Sequence, residues 1–245
     1  MDWFKAWFNT PYYHTLYKNR NDEEARTFIK NITNFIEIPA KAKVMDLACG
    51  KGRHSITLNQ LGFDVLGLDL SEESINYAKQ FENDHLHFDV HDMRKIYKEN
   101  EFDAIFNLFT SFGYFDNDDE NALVFEAIKK QLKPNGILVF DYLNAEKVVK
   151  NLVPYEEKEI DGILFKITKS ITDKSFIKKE IDFYADGQDW HFEEYVKLLY
   201  KKDFIQMIEK ANLKVKHVFG NYQLGSFFSD TTSDRLILVL ENAGN

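Results

Sequence analysis

A single cysteine, Cys49, serves all 245 residues, so no intramolecular disulfide can form and no set of thiolates can hold a metal. Cys49 reads as a small buried loop residue, because nothing in the sequence supplies the basic partner of a catalytic thiol. Long apolar runs are also missing. None approaches the roughly 20 residues that a spanning helix needs, and the opening stretch MDWFKAWFNT lacks the basic region, apolar core and cleavage site of a secretory leader. The expected location is the cytoplasm. Positive charge is short as well: 31 Lys and Arg face 40 Asp and Glu, for a net charge of −9. The basic runs, KKE at 178–180 and KK at 201–202, are too short to offer phosphates a counterion-releasing surface. A nucleic-acid substrate is therefore not expected, and a small molecule or a partner protein is. No internal repeat or low-complexity tract interrupts the chain.

The composition, 44% apolar and 15% aromatic, is enough for a full core, and its most informative stretch is KVMDLACGKGRH at 43–54. An apolar strand pattern ends in Asp46, passes a turn carrying Gly50 and Gly52, and opens into a helical pattern. A second apolar run, FDVLGLDL, ends in Asp69, nineteen positions after Gly50. This is a nucleotide-binding βαβ layout. Glycines let the backbone approach a ligand, the helix start presents unpaired N–H groups, and an acid at the second strand tip can accept both hydroxyls of a ribose. The dinucleotide fingerprint G-x-G-x-x-G is not met, because Ala48 and Arg53 stand where its outer glycines belong. Pyrophosphate is not the expected guest. A carboxylate at Asp46 would repel a diphosphate and would help orient an ammonium or sulfonium group.

Around this unit the periodicities alternate. A helix over 21–38 has acids in its first turn and Phe28, Ile32, Phe35 and Ile36 on one side, with Pro39 stopping it. Strands are predicted at 43–47, 64–69, 86–89, 102–107 and 137–141. Helices lie between them: 52–61 with Ile56, Leu58 and Leu61 inward, one capped by Ser71, and one over 116–133 with Leu123, Ala127, Ile128 and Leu132 inward, ended by Pro134-Asn135-Gly136. Strands and helices in alternation with short connections make a doubly wound, mainly parallel α/β sheet. Past residue 145 the pattern changes to polar and apolar alternation at 158–169, 174–185 and 190–200, with turn signals at TDKS 172–175 and Asp186-Gly187. That reads as an antiparallel β insert. Helical spacing returns at 201–212, and two strand runs, KVKHVFGNY and RLILVLEN, close the chain.

The segment 43–54 resembles motif I of the class I S-adenosylmethionine-dependent methyltransferases, D/E-x-G-x-G-x-G, with Ala48 in place of its first glycine. HFDVHDMRK at 87–95, FDAIFNLFTSFGYF at 102–115 and LKPNGILVFDYLN at 132–144 continue the likeness in order. The resemblance implies a seven-stranded Rossmann-like sheet over 21–149 and 200–245, an N-terminal lid over 1–20 and an insert over 150–199. It also implies S-adenosylmethionine as cofactor, S-adenosylhomocysteine as product, and a site made of Asp46, Ala48, Cys49, Gly50 and Gly52 for the methionine portion. Asp69 and Leu70 would serve ribose and adenine, Asp92 and Met93 the adenine, and Asn107 and Phe109 the methyl end. Tyr13, Tyr17 and Arg20 are lid candidates, and Thr110, Ser111, Phe112 and Tyr114 would face the acceptor.

Methyl transfer needs alignment more than a nucleophilic side chain. His14 and His191 are the candidate general bases. His54 reads as a packing or capping residue, and His85, His87 and His91 as surface histidines, so no metal is expected. Phe227 and Phe228 are placed to close the pocket or to anchor their own loop. The insert would either roof the acceptor site or pair across a two-fold axis in a homodimer. Two other readings stay open at this point: a nicotinamide-dependent reductase on the same βαβ unit, and a protein that binds the cofactor or a partner without catalysis.

Overall fold

The computed structural model describes residues 3–18, 22–115 and 117–244. Arg20 lies outside them. Seven strands form the main sheet: β1 (Lys43–Leu47), β2 (Asp64–Asp69), β3 (Leu86–Val90), β4 (Phe102–Asn107), β5 (Leu132–Leu143), β10 (Lys214–Phe219) and β11 (Arg235–Glu241), in the order β10-β11-β5-β4-β1-β2-β3. The five strands β1 to β5 run parallel, and β11 runs antiparallel to both β5 and β10. Both faces are covered, which is why these strands read as near-continuous apolar runs. Val44, Val65 and Ala104 pack on one face under α3 (Asp22–Phe35), α4 (Arg53–Gln60) and α5 (Glu72–Ala78). Met45, Leu68 and Ile105 point the other way, under α6 (Asp118–Gln131) and α8 (Lys201–Lys210).

Several sequence expectations shift. Phe35, Leu61 and Leu123 are exposed; on α6, Ala127 and Ile128 are buried as expected, joined by Val124 and Phe125 in place of Leu123. Pro134-Asn135-Gly136 does not separate helix from strand. β5 begins at Leu132 and carries these residues as a bulge against β4, where pairing jumps from Phe102↔Leu132 to Ala104↔Ile137. A short helix, α7 (Ala145–Lys150), follows β5.

The insert is a second, four-stranded antiparallel sheet of β6 (Tyr155–Ile160), β7 (Ile163–Ile171), β8 (Phe176–Ala185) and β9 (Gln188–Lys197). The stretch 158–169 is not one strand. It is broken by Asp161-Gly162, whose paired positive φ values, 53° and 76°, match those of Asp186-Gly187 in the next hairpin, 51° and 83°. Two N-terminal helices, α1 (Trp3–Phe8) and α2 (Pro11–Leu16), lie on this sheet. Trp7, Tyr12 and Leu16 share a core with Phe165, Ile167, Ile181 and Phe183, and Trp7 stacks on Phe192 at 4.5 Å. The N-terminal helices and the insert therefore share one core.

Candidate active site

The glycine turn begins where β1 ends. Ala48, Gly50 and Gly52 all take positive φ, 63°, 55° and 83°, so the position where Ala48 replaces the family's glycine is one that an L-residue occupies under strain. Gly52 is demanded twice over, since a Cβ there would stand 2.7 Å from the Phe88 ring. Gly50 has open space where its Cβ would be, and its N–H donates to Asp69 Oδ2 at 2.8 Å. Asp69 Oδ1 accepts from the Ser71 N–H, also at 2.8 Å. Burial raises the Asp69 carboxyl against the pull of these N–H groups. Beneath the turn, Asp46 is 1% exposed and accepts from Ser55 Oγ at 2.6 Å.

The glycine turn and the tip of β2 border a cavity of about 580 Å³, lined by Ala48, Cys49, Gly50, Asp69, Leu70, Asp92 and Met93 among others. Burial would lift Asp92, yet the bonds from Arg94, 2.6 Å at the closest, outweigh it and hold the carboxyl below its ordinary value. Burial pushes the Cys49 thiol well up, which keeps it protonated. The N-terminal segment borders one side of this cavity: Asn9, between α1 and α2, accepts from Ser71 Oγ at 2.6 Å.

A second cavity of about 530 Å³ lies under the insert. Phe8, Tyr13, Tyr17, Phe109, Ser111 and Tyr114 border both cavities, so these six side chains mark the junction. The loop after β4 is bent there by positive φ at Phe109 and Thr110, 58° and 63°. Asp141 braces it from β5. Its Oδ2 accepts from the Phe109 N–H at 2.7 Å and its Oδ1 from Arg235 Nε at 2.8 Å, while Arg235 reaches Thr110 Oγ1. The Phe109 ring is stacked between His54 and Tyr222, 4.8 and 5.0 Å away.

Comparison with known proteins decides the family. A family model described as a methyltransferase domain matches residues 38–212. The chain belongs to the class I S-adenosylmethionine-dependent methyltransferases. It is 37% identical to the YqeM protein of Bacillus subtilis (strain 168) over 123 residues, 48% of this chain and 50% of that one, so the match spans about half of that relative. A dTDP-3-amino-3,4,6-trideoxy-alpha-D-glucopyranose N,N-dimethyltransferase from Streptomyces venezuelae is 25% identical over 190 residues, 74% of this chain and 79% of the relative. The fold is shared with the crystal structure of an S-adenosylmethionine-dependent methyltransferase from Clostridium acetobutylicum ATCC 824, at TM-score 0.80 and 18% identity, covering 95% of this chain and 96% of that chain. Membership in this methyltransferase family removes the reductase alternative.

The structure brings most of the expected cofactor residues together and leaves three behind the wall. Asp46, Gly52 and Asn107 do not border either cavity. Asn107, expected at the methyl end, is fully buried, its amide donating to the Leu47 carbonyl at 3.0 Å, whereas Leu108 and Phe109 border the first cavity. His14 borders the first cavity, as does His91, which was expected on the surface. His191 is elsewhere. It sits exposed on β9, bonded to Asp182 at 2.7 Å and bordering neither cavity. The ligand atoms of Glu180, His191 and Glu193 lie within 4.8 Å of one another, but the Lys178 ammonium already bonds both glutamates. Tyr13, Tyr17 and Tyr114 border both cavities, Thr110 borders the second, and Phe112 is buried in the core instead. Neither Phe227 nor Phe228 borders either of these two cavities; Phe227 packs on the core and Phe228 is exposed.

Glu194 was missed. It is 5% exposed on β9, where it accepts from Trp7 Nε1 at 2.6 Å and from the Tyr17 hydroxyl at 2.7 Å, and it pairs with Lys179 at 3.1 Å. Burial would raise its carboxyl, but Lys179 and these two donors hold it below the ordinary value. Its signal was legible in principle: Glu194 falls in phase with Trp190, Phe192 and Val196 and directly opposite Lys179 in the β8–β9 register.

Proposed function

We propose that this chain transfers the methyl group of S-adenosylmethionine to a small polar acceptor held in the second cavity. The observation that carries the reading is the junction: two cavities of comparable size meet at one set of aromatic and hydroxyl side chains beside the glycine turn. The first cavity suits the cofactor. Its turn offers a bare backbone at Gly50 with room beyond it, its rim carries Asp69 and Asp92, and Asp46 puts a buried carboxylate beneath. Ala48 and Gly50 would hold the methionine portion, Asp69 and Leu70 the ribose and adenine, and Asp92 and Met93 the adenine. When bound, the cofactor supplies a methyl group already activated on a cationic sulfur.

The chain's own contribution is placement. Tyr13, Tyr17, Phe109 and Tyr114 gather aromatic rings at the junction, an environment that favours a cation, and the N-terminal helices and insert would cover it. Holding reactants in line is worth on the order of 7–11 kcal/mol, so no nucleophilic side chain is required. His14, on the cofactor side, is the remaining candidate to take a proton from the acceptor. The name of the Streptomyces venezuelae relative supports an amine nitrogen on a sugar-sized molecule as acceptor. With α1 and α2 covering one face of the insert, we read the insert as the roof of the acceptor cavity in preference to a dimer surface. No helix among the described residues is long and apolar enough to cross a membrane.

The test is turnover. Incubating the protein with S-adenosylmethionine and a panel of amino sugars, sugar nucleotides and amino acids, and quantifying S-adenosylhomocysteine by mass spectrometry, should give product that depends on one acceptor class. Product formed at the same rate without any acceptor, or no product from protein that binds the cofactor, would contradict the proposal.

A further inference from the structure

The second cavity has an unusual wall for a chain of net charge −9. Lys147, Lys169, Lys179 and Arg235 border it, against Glu194 and Asp234. The two carboxylates are committed: Glu194 to Trp7, Tyr17 and Lys179, and Asp234, 64% exposed, to Lys147. The carboxylates that hold Lys169 and Arg235 are Glu156, at 2.7 Å, and Asp141, at 2.8 Å, and neither borders the cavity. They stand behind the wall and orient cations that themselves border the space.

Donor capacity remains on that wall. The Arg235 guanidinium carries five N–H groups, and its side chain bonds through Nε to Asp141 and through one Nη to Thr110. Lys179 has three N–H groups for the Tyr17 hydroxyl and Glu194. A ligand that only accepts hydrogen bonds and carries negative charge would complete both sets. An Arg fork beside ammonium groups suits an oxyanion in particular.

We infer that the acceptor of this methyltransferase carries an oxyanion group, a phosphate or a carboxylate, and that Lys169, Lys179 and Arg235 bind it in the second cavity. This rests on the cofactor assignment of the first cavity. Held there, the anion would fix the orientation of the acceptor within the second cavity.

The test is calorimetry on the full chain saturated with S-adenosylhomocysteine, titrated separately with inorganic pyrophosphate and with succinate at constant ionic strength. Saturable one-to-one binding of either anion is expected, and which of the two binds distinguishes phosphate from carboxylate. Lys169→Gln and Lys179→Gln should each weaken it at least fivefold and leave the affinity for S-adenosylhomocysteine within twofold. Because Lys179 also touches the lid through Tyr17, Lys169→Gln, whose ammonium is tied to Glu156 instead, keeps the test independent of lid packing. Binding of neither anion, or binding unaltered in Lys169→Gln, would overturn the inference. Failure to saturate with S-adenosylhomocysteine would instead fall on the cofactor assignment.

Discussion

At the scale of single residues, Asp46 shows how the site stores charge. Burial first, and the nearby Asp69 charge after it, lift its carboxyl from the ordinary range to about 6, against the bonds from Ser55 and the charge of Arg53. The folded chain therefore holds this proton more tightly than the unfolded chain does. That stabilising contribution is complete below about pH 4 and is lost as the pH rises through about 6. Above that pH the site keeps a buried negative charge, which suits a cationic ligand and costs the empty protein stability. Asp46→Asn removes the titration and keeps an acceptor for Ser55. Urea denaturation at pH 4 and pH 7 should show the difference between variant and wild type moving by about 2 kcal/mol in the variant's favour. A difference that does not change with pH would mean that Asp46 titrates normally.

Elements are held together across the roof by one buried acid. Glu194 on β9 takes hydrogen bonds from Trp7 in α1 and from Tyr17 just after α2, so it fastens the lid to the insert. Hydrogen bonds to a charged group are worth about 1.5–3 kcal/mol each. Glu194→Gln should loosen this fastening without disturbing the main sheet. Hydrogen–deuterium exchange should then speed up at least tenfold in α1 and α2, with β1, β4 and β5 unchanged; equal protection in both segments would show that aromatic packing alone holds the lid. The main sheet was legible in the sequence because its strands and helices have single, clean periods set by burial on two faces. The roof was less so. Asp161-Gly162 is a hairpin turn hidden inside an apparently continuous alternation, α1 and α2 are too short to display a helical stripe, and Glu194 occupies an apolar phase that only its register with Lys179 explains. At the site, the turn glycines and Asp69 could be read from spacing. Asn107 could not, since whether a strand-end amide faces the cavity or the core depends on the loop that follows, here bent by Asp141.

For the whole molecule, the arrangement is a division of labour between two sheets. Strand tips of the mainly parallel sheet border the first cavity, and the antiparallel sheet with α1 and α2 borders the second, so the proposed reaction falls where the two meet. Everything depends on the first cavity binding the cofactor through the β2 tip. Isothermal titration with S-adenosylhomocysteine and, separately, with NADH, on wild type and on Asp69→Ala, tests this most directly. The account predicts saturable binding of one S-adenosylhomocysteine per chain, none of NADH, and a loss of about 10- to 100-fold in affinity in Asp69→Ala, the loss expected for hydrogen bonds to a carboxylate. No binding of S-adenosylhomocysteine by the wild type, or an Asp69→Ala variant that binds it equally well, would contradict it.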